Sequence, residues 1–124
     1  MRCLPILMLG VTLAAAAQPE APPTVFPVDA VPLASAALSE RLADKTYVAK
    51  PRSDPAVRVQ YRGDYAYVNV GNASDSGKWR VEGSAVCYQW RTFKPGCSEV
   101  RQVGDLLYVR RSNSGEIVPM TVQP

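Results

Sequence analysis

Hydrophobic and polar residues alternate with a period of two from residue 56 onward, which is the pattern of half-buried antiparallel strands. Pairs of alternating runs flank three dipeptides, Gly63-Asp64, Gly83-Ser84 and Gly104-Asp105. Because a glycine that opens a two-residue loop favours a type II′ turn, each pair of runs predicts a β-hairpin. Evenly spaced hairpins predict a meander that forms a small barrel or a sandwich.

The register of each hairpin follows from its turn, because a slip of one residue would move every side chain to the opposite face of the sheet. The first hairpin pairs Val57, Val59 and Tyr61 with Val70, Val68 and Ala66. The second pairs Gly77, Trp79 and Val81 with Trp90, Tyr88 and Val86, and the third pairs Val100 with Val109. One face of the second hairpin then carries a stripe of predicted core residues: Trp79, Val81, Val86, Tyr88 and Trp90.

Two further segments complete the predicted sheet. Residues 71–77 (GNASDSG) have the composition of a loop. Residues 116–122 predict a last strand, which Pro119 marks as an edge strand because proline cannot donate to a ladder.

One short helix is predicted at the entrance to the domain, over residues 33–44. Leu38 and Leu42 share a face of this helix, and Ser35 is a candidate N-cap. Residues 45–50 predict a first strand.

The first residues have the order of a secretory signal peptide. Arg2 supplies a positive charge, residues 4–13 are mostly apolar, and Ala15-Ala16-Ala17 is an A-x-A cleavage signal. We expect residues 1–17 to be removed by cleavage after Ala17, which predicts a periplasmic or secreted protein.

The mature chain then divides into two parts. Residues 18–32 contain repeated prolines without hydrophobic periodicity and predict a disordered tether. Residues 33–124 predict a single β domain, since they suffice for one modest core.

Two cysteines remain after cleavage, Cys87 and Cys97, because Cys3 belongs to the leader. An even number of cysteines in a short exported chain predicts a structural disulfide. The C-x9-C spacing is not that of a redox pair, and the chain has no histidine to complete a metal site, so no cofactor or metal is expected. Cys87 falls on the face opposite the core stripe, so we expect a broad, irregular loop over 92–96.

The net charge of the chain argues against nucleic-acid binding, and its hydropathy argues against a membrane span. The formal charge of +3 loses one unit with Arg2, and the resulting near balance argues against nucleic-acid binding. No second hydrophobic span follows the leader, so no membrane span is expected.

Catalysis is not expected, because the chain lacks histidine and has no G-x-S-x-G elbow. The aspartates Asp64, Asp75 and Asp105 occupy positions that turn formation explains.

The outward face of the first hairpin is the strongest binding candidate, with Arg58, Arg62, Tyr65 and Tyr67 available to a partner protein or an envelope polymer. The alternative is that these residues form the solvated side of an antiparallel sheet. A second candidate is a set of loop residues: Ser76, Lys78, Phe93 and Lys94.

The chain resembles small exported Gram-negative domains of unknown function that carry a G-x-W-x-V…C-Y-x-W…C pattern. The matching residues, within a resemblance that covers about residues 38–118, are Gly77, Trp79, Val81, Cys87, Tyr88, Trp90 and Cys97. A weaker similarity is to periplasmic lysozyme inhibitors, whose small barrels present a Ser-Gly loop that Ser76-Gly77-Lys78 would match.

Taken together, these patterns predict a mainly β protein: an antiparallel meander barrel or sandwich of about seven or eight strands, with one short N-terminal helix and one disulfide. The favoured function is a non-enzymatic binding or envelope-associated module. The alternatives are lysozyme inhibition and a barrel that holds a small apolar ligand. A cavity beside Trp79, Tyr88 and Trp90 would favour the second alternative.

Overall fold

Nine β-strands and one α-helix make up the folded part of the chain in a computed structural model, which describes residues 2–6, 8, 10, 21–52 and 54–124. In chain order the elements are β1 (Val31–Pro32), α1 (Ser35–Leu42), β2 (Thr46–Ala49), β3 (Val57–Arg62), β4 (Tyr65–Val70), β5 (Ala73–Glu82), β6 (Ala85–Trp90), β7 (Gly96–Val103), β8 (Leu106–Arg110) and β9 (Ile117–Gln123). The predicted mainly β fold with one short helix is confirmed.

The strands β2 to β9 close into a barrel. Each pairs antiparallel with the next strand along the chain, and β9 pairs with β2. The short strand β1 lies outside this ring and pairs with β7. Of the two architectures expected from the sequence, the structure is the barrel, because the first and last strands of the meander pair with each other.

The three predicted hairpin registers are confirmed, with opposed pairs that include Tyr61–Ala66, Trp79–Tyr88 and Val100–Val109. The glycines that open the three turns have φ angles of 54°, 58° and 56°. This left-handed conformation is free of strain for glycine alone, which is why the turns occur at these dipeptides.

The helix α1 closes the end of the barrel at which these turns lie. Leu38 and Leu42 are fully buried in the core cluster, as their shared face predicted. Arg41 extends from α1 to the β7–β8 turn, where its Nη2 donates to the carbonyl of Asp105 over 2.9 Å.

The expected capping role of Ser35 is wrong. Ala34 occupies the N-cap position, and no side chain caps the helix there. The Ser35 hydroxyl donates instead to the carbonyl of Gly83, 2.8 Å away, and so ties the start of the helix to the β5–β6 turn.

The segment 26–32 contacts the outside of the barrel at Phe26 and at β1. The Phe26 ring is buried, and the guanidinium carbons of Arg101 and Arg110 lie 4.5 Å and 4.9 Å from its centroid. The strand β1 follows at once and pairs with β7. The disordered tether expected over 18–32 therefore does not describe these residues, because the ring and the backbone both have partners on the barrel.

The leader prediction concerns residues that are largely outside the described part of the chain. The cleavage signal at 15–17 and the start of the tether at 18–20 are among those not described. Across the described ranges, no helix combines the length and the apolar character needed to span a membrane.

The loop predicted over 71–77 is wrong beyond Asn72. Strand β5 begins at Ala73 and pairs with β4 from that residue onward. Composition favoured a loop, but hydrogen bonding to a neighbouring strand outweighs such a weak local preference.

The edge strand predicted from Pro119 is also wrong, because β9 pairs with both β8 and β2. Pro119 itself is paired only on the β8 side, opposite Tyr108, and the pairing with β2 begins at Met120. Proline is accommodated because it sits just before the doubly paired part of the strand.

Cys87 and Cys97 form the predicted disulfide, which joins directly opposed residues of β6 and β7 whose Cα atoms are 4.0 Å apart. The irregular segment between the two strands is residues 91–95, close to the loop expected over 92–96. Closing a loop with a sequence separation of 10 stabilises the fold by about 2–3 kcal/mol in the chain-entropy model.

Gly77 allows β5 and β6 to approach unusually closely. It lies opposite Trp90, and a Cβ at this position would be 2.1 Å from the carbonyl oxygen of Gln89 and 2.8 Å from the Cα of Trp90. Backbone atoms in a paired strand cannot move aside as a flexible side chain can. Gly77 is therefore required by packing.

Gly77→Ala should lower the free energy of unfolding by about 3 kcal/mol or prevent folding, because it forces β5 and β6 apart. Urea denaturation measures the loss. Gly96→Ala is the matched control, since its Cβ would be 3.3 Å from the Ser112 hydroxyl, which can rotate away, and it should cost less than about 1 kcal/mol. Equal losses in the two variants would contradict the packing argument.

Candidate functional site

A cavity of about 430 Å³ lies inside the barrel. Its wall is formed mostly by apolar side chains that point inward from the strands: Ala49, Val57, Val59, Val68, Val70, Ala73, Val86, Val109 and Met120. Phe93, Ser112 and Asn113 also line it, and these residues come from the loops at the end opposite to α1. The barrel is thus closed by the helix at one end and holds its cavity toward the other.

Aromatic rings form part of the wall of the cavity. Tyr61 makes an edge contact with Trp79, with centroids 5.0 Å apart, and a second one with Tyr47 at 6.3 Å. The ring of Tyr88 stacks on Trp90 at 4.6 Å with the planes only 10° apart. Such contacts hold the rings in fixed positions, so this wall is rigid.

The hydroxyl groups of Tyr61 and Tyr88 form a hydrogen bond with each other inside this aromatic cluster. Burial raises the pKa of Tyr61 well above its ordinary value of 10.0, and the neighbouring Tyr88 raises it further. Burial also raises the pKa of Tyr88, to about 12. Both hydroxyls therefore keep their protons at neutral pH.

The mouth of the cavity is shaped by Asp75, which holds the loop between β6 and β7. One oxygen of its carboxylate accepts from the backbone N–H groups of Thr92 and Phe93, 2.8 Å each, and the other accepts from the N–H of Ser76. The bond from Phe93 is the main cause of the lowered pKa of Asp75. Phe93 is thereby fixed where its side chain borders the cavity.

Among the described residues, one charged side chain lines the cavity, that of Arg111, which follows the last residue of β8. Its guanidinium forms an ion pair with the carboxylate of Asp54. The positive charge at this position is thus balanced by the protein itself.

The five residues of the predicted core stripe all point into the barrel, but to different depths. Val86 is fully buried, whereas Trp79, Val81, Tyr88 and Trp90 pack against the core and are only partly buried. Tyr88 and Trp90 are partly exposed because they border the cavity.

The predicted binding face lies outside the barrel, on β3 and β4. Arg62 lies opposite Tyr65 and Arg58 opposite Asn69, on the same outward face as Tyr67. The side chains of Tyr67 and Tyr65 are 44% and 42% exposed. These residues share no wall with the cavity.

The four predicted loop residues separate into two sites. Ser76 and Lys78 lie within β5, opposite Tyr67 and Tyr65, and therefore extend the outer face. They do not form the projecting loop that the resemblance to lysozyme inhibitors implies. Phe93 and Lys94 do lie in a loop, and Phe93 lines the cavity.

Sequence reasoning missed the roles of Tyr61 and Asp75. Tyr61 was placed correctly on the inner face, but its hydrogen bond depends on a residue in a strand to which its own strand is not paired. Asp75 was assigned to a turn, and its contact with 92–93 spans a loop whose path the sequence does not define.

Among the described residues, one group of three potential metal ligands lies close together: Glu82, Cys87 and Cys97. Both sulfurs are joined in the disulfide, so neither can bind a metal as a thiolate.

Alkaline unfolding tests the buried tyrosine pair. Tyr88 keeps its proton to higher pH in the folded protein than in the unfolded chain, so its contribution to stability is present below pH 10.0 and is lost as the pH approaches about 12. The free energy of unfolding, measured by urea denaturation across this range, should fall by on the order of 2–3 kcal/mol. Tyr88→Phe should reduce the fall, and an unchanged pH dependence in that variant would contradict the assignment.

Comparisons with protein-family models, with curated proteins and with solved structures found no match to this chain.

Proposed function

We propose that this protein is a non-enzymatic, exported binding protein that holds a small, mostly apolar ligand inside its barrel. The cavity of about 430 Å³ carries the proposal. Binding sites for small molecules are typically concave, largely apolar and bordered by a few polar groups, and this cavity has each of these properties.

The size of the cavity limits the ligand. At about 30 Å³ for each water-sized atom in a liquid, the volume corresponds to roughly a dozen non-hydrogen atoms. A monocyclic aromatic compound or a medium-length aliphatic chain has suitable dimensions. The rigid aromatic wall favours ligands that can pack flat against the rings of Tyr88 and Trp90.

The lining supports binding rather than catalysis. No carboxylate is among the described residues that line the cavity, and the chain contains no histidine. Its tyrosine hydroxyls retain their protons, and Arg111 is already paired with Asp54. A bound molecule would meet apolar surface and the hydroxyls of tyrosine, Ser98 and Ser112, and among the described lining residues there is no carboxylate or imidazole to activate a serine.

Filling the cavity should abolish binding. Ala49 lines the wall from β2, so Ala49→Phe places a ring in the space that the ligand would occupy. Titration with 1-aminonaphthalene, an uncharged dye of eleven non-hydrogen atoms whose emission moves to shorter wavelengths in apolar surroundings, should show binding to the wild type and binding roughly tenfold weaker or worse in this variant.

The matched control for that experiment is Val48→Phe. Val48 is the preceding residue of the same strand, lies opposite Arg58 and points outward, so the added ring leaves the cavity unchanged. Wild-type dye affinity is expected for the control. Equal dye affinity in the Ala49→Phe variant and the wild type, with both proteins folded, would overturn the proposal.

A second candidate function concerns the outer face of β3, β4 and β5, as a surface for an anionic polymer of the cell envelope. Lys78 lies opposite Tyr65, and within the described residues no carboxylate forms an ion pair with Arg58, Arg62 or Lys78. Exposed tyrosines beside uncompensated cations favour anionic partners, since charge attraction and aromatic contact act together.

Replacing both exposed tyrosines tests this face. Tyr65→Ser combined with Tyr67→Ser should weaken retention on immobilised dextran sulfate roughly tenfold, because such side chains contribute most to an interface. Tyr108→Ser changes an outward tyrosine on the other side of the barrel and should leave retention as in the wild type. Equal retention of the double variant and the wild type would argue against the outer face.

A further inference from the structure

The hydrogen bond between Tyr61 and Tyr88 leaves one hydroxyl proton without a partner among the residues that the structure describes. The two hydroxyls carry two protons, and their mutual bond uses one of them. No other hydrogen bond of either hydroxyl occurs among the described residues. The pair can therefore donate once more.

Both tyrosines belong to the wall of the cavity. Tyr61 is only 2% exposed, so its hydroxyl is buried, and valine, alanine and aromatic side chains form most of the cavity wall, which also carries Ser98, Ser112 and Asn113. A donor in such surroundings costs about 1–3 kcal/mol when it lacks an acceptor. A ligand that fills the cavity without offering an acceptor would displace water and incur this cost.

We infer that the ligand held in the barrel carries an uncharged hydrogen-bond acceptor, such as a ketone, ester or ether oxygen, and that the Tyr61–Tyr88 pair donates to it. The inference rests on the proposed ligand-binding function and names the chemistry of the ligand in that same cavity. Hydrocarbon surface of the ligand would contact the remaining wall.

An uncharged acceptor fits the cavity better than a carboxylate. Burying an ionised group without a counter-charge is strongly unfavourable, and the one cation that the described part of the chain contributes to the wall, Arg111, is already neutralised by Asp54. The raised pKa values of both tyrosines agree with this, because the burial that raises them disfavours a negative charge and would disfavour a bound carboxylate in the same way.

Butyrophenone and butylbenzene test the inference, because they share a skeleton and differ in one ketone oxygen. Isothermal titration calorimetry on the wild type should detect binding of both, with the ketone bound at least as tightly as the hydrocarbon. The double variant Tyr61→Phe/Tyr88→Phe should weaken ketone binding roughly fivefold to tenfold and leave hydrocarbon binding unchanged. The carboxylate 4-phenylbutanoate should bind the wild type more weakly than either compound.

Both hydroxyls must be removed together, because a single phenylalanine leaves the other hydroxyl with its own proton. Replacing both partners by apolar groups of the same shape is nearly neutral for stability, so the double variant should fold. Tyr47→Phe is the matched control: Tyr47 also lines the cavity, but its hydroxyl already donates to the carbonyl of Arg41. Ketone affinity should be unchanged in the control.

The outcomes separate the inference from the proposed function. If neither compound binds the wild type, both are overturned. If both compounds bind and the double variant keeps the wild-type ratio of ketone to hydrocarbon affinity, the inference fails and the ligand-binding function stands. An independent measurement uses the wild type alone: the infrared carbonyl stretch of bound butyrophenone should lie below its value in a hydrocarbon solvent, and an unshifted band would also overturn the inference.

Discussion

The pairing of β9 with β2 is the constraint on which the rest of this structure depends. Four residue pairs, from Thr46–Gln123 to Ala49–Met120, join the two ends of the meander. Once the sheet is closed it has no free edge, and each strand of the ring has an inner and an outer face. Water can therefore reach the interior only through the two ends of the barrel. The helix α1 covers one end through Leu38 and Leu42, and the other end keeps the cavity.

The distribution of side-chain size along the barrel explains why space remains inside it. A barrel of this many strands has an interior just wide enough to be filled by side chains or to hold one small ligand. Near the helix, Tyr61 and Trp79 supply the bulk that fills it. Toward the mouth the inward positions carry smaller residues, such as Ala49, Val57 and Ala73, which cannot reach across the barrel. The barrel therefore has a packed half near α1 and an open half toward the mouth of the cavity.

The hairpins could be predicted from the sequence because their information is local. The alternation of hydrophobic and polar side chains shows which face of the sheet each residue occupies, and the glycine in each turn determines the register. Trp79 accordingly lies opposite Tyr88, as expected. Closure could not be predicted, because Pro119 suggested an edge and nothing near it shows that β2 lies alongside. The cavity could not be predicted from the sequence either. The sequence pattern around a half-buried tryptophan such as Trp90 is the same whether its ring packs on another side chain or borders a cavity. The two cases differ only in the space that the side chains leave inside the closed barrel.

The position of Phe26 has a consequence for the order in which the protein folds. Its ring packs on Arg101 and Arg110, which belong to β7 and β8, near the end of the chain. Phe26 therefore has no docking surface until β7 and β8 have formed and paired with each other. Contacts of such sequence separation slow folding, because the loop entropy is lost before the contact forms. The segment that carries Phe26 can pack on the barrel only after these two late strands are in place.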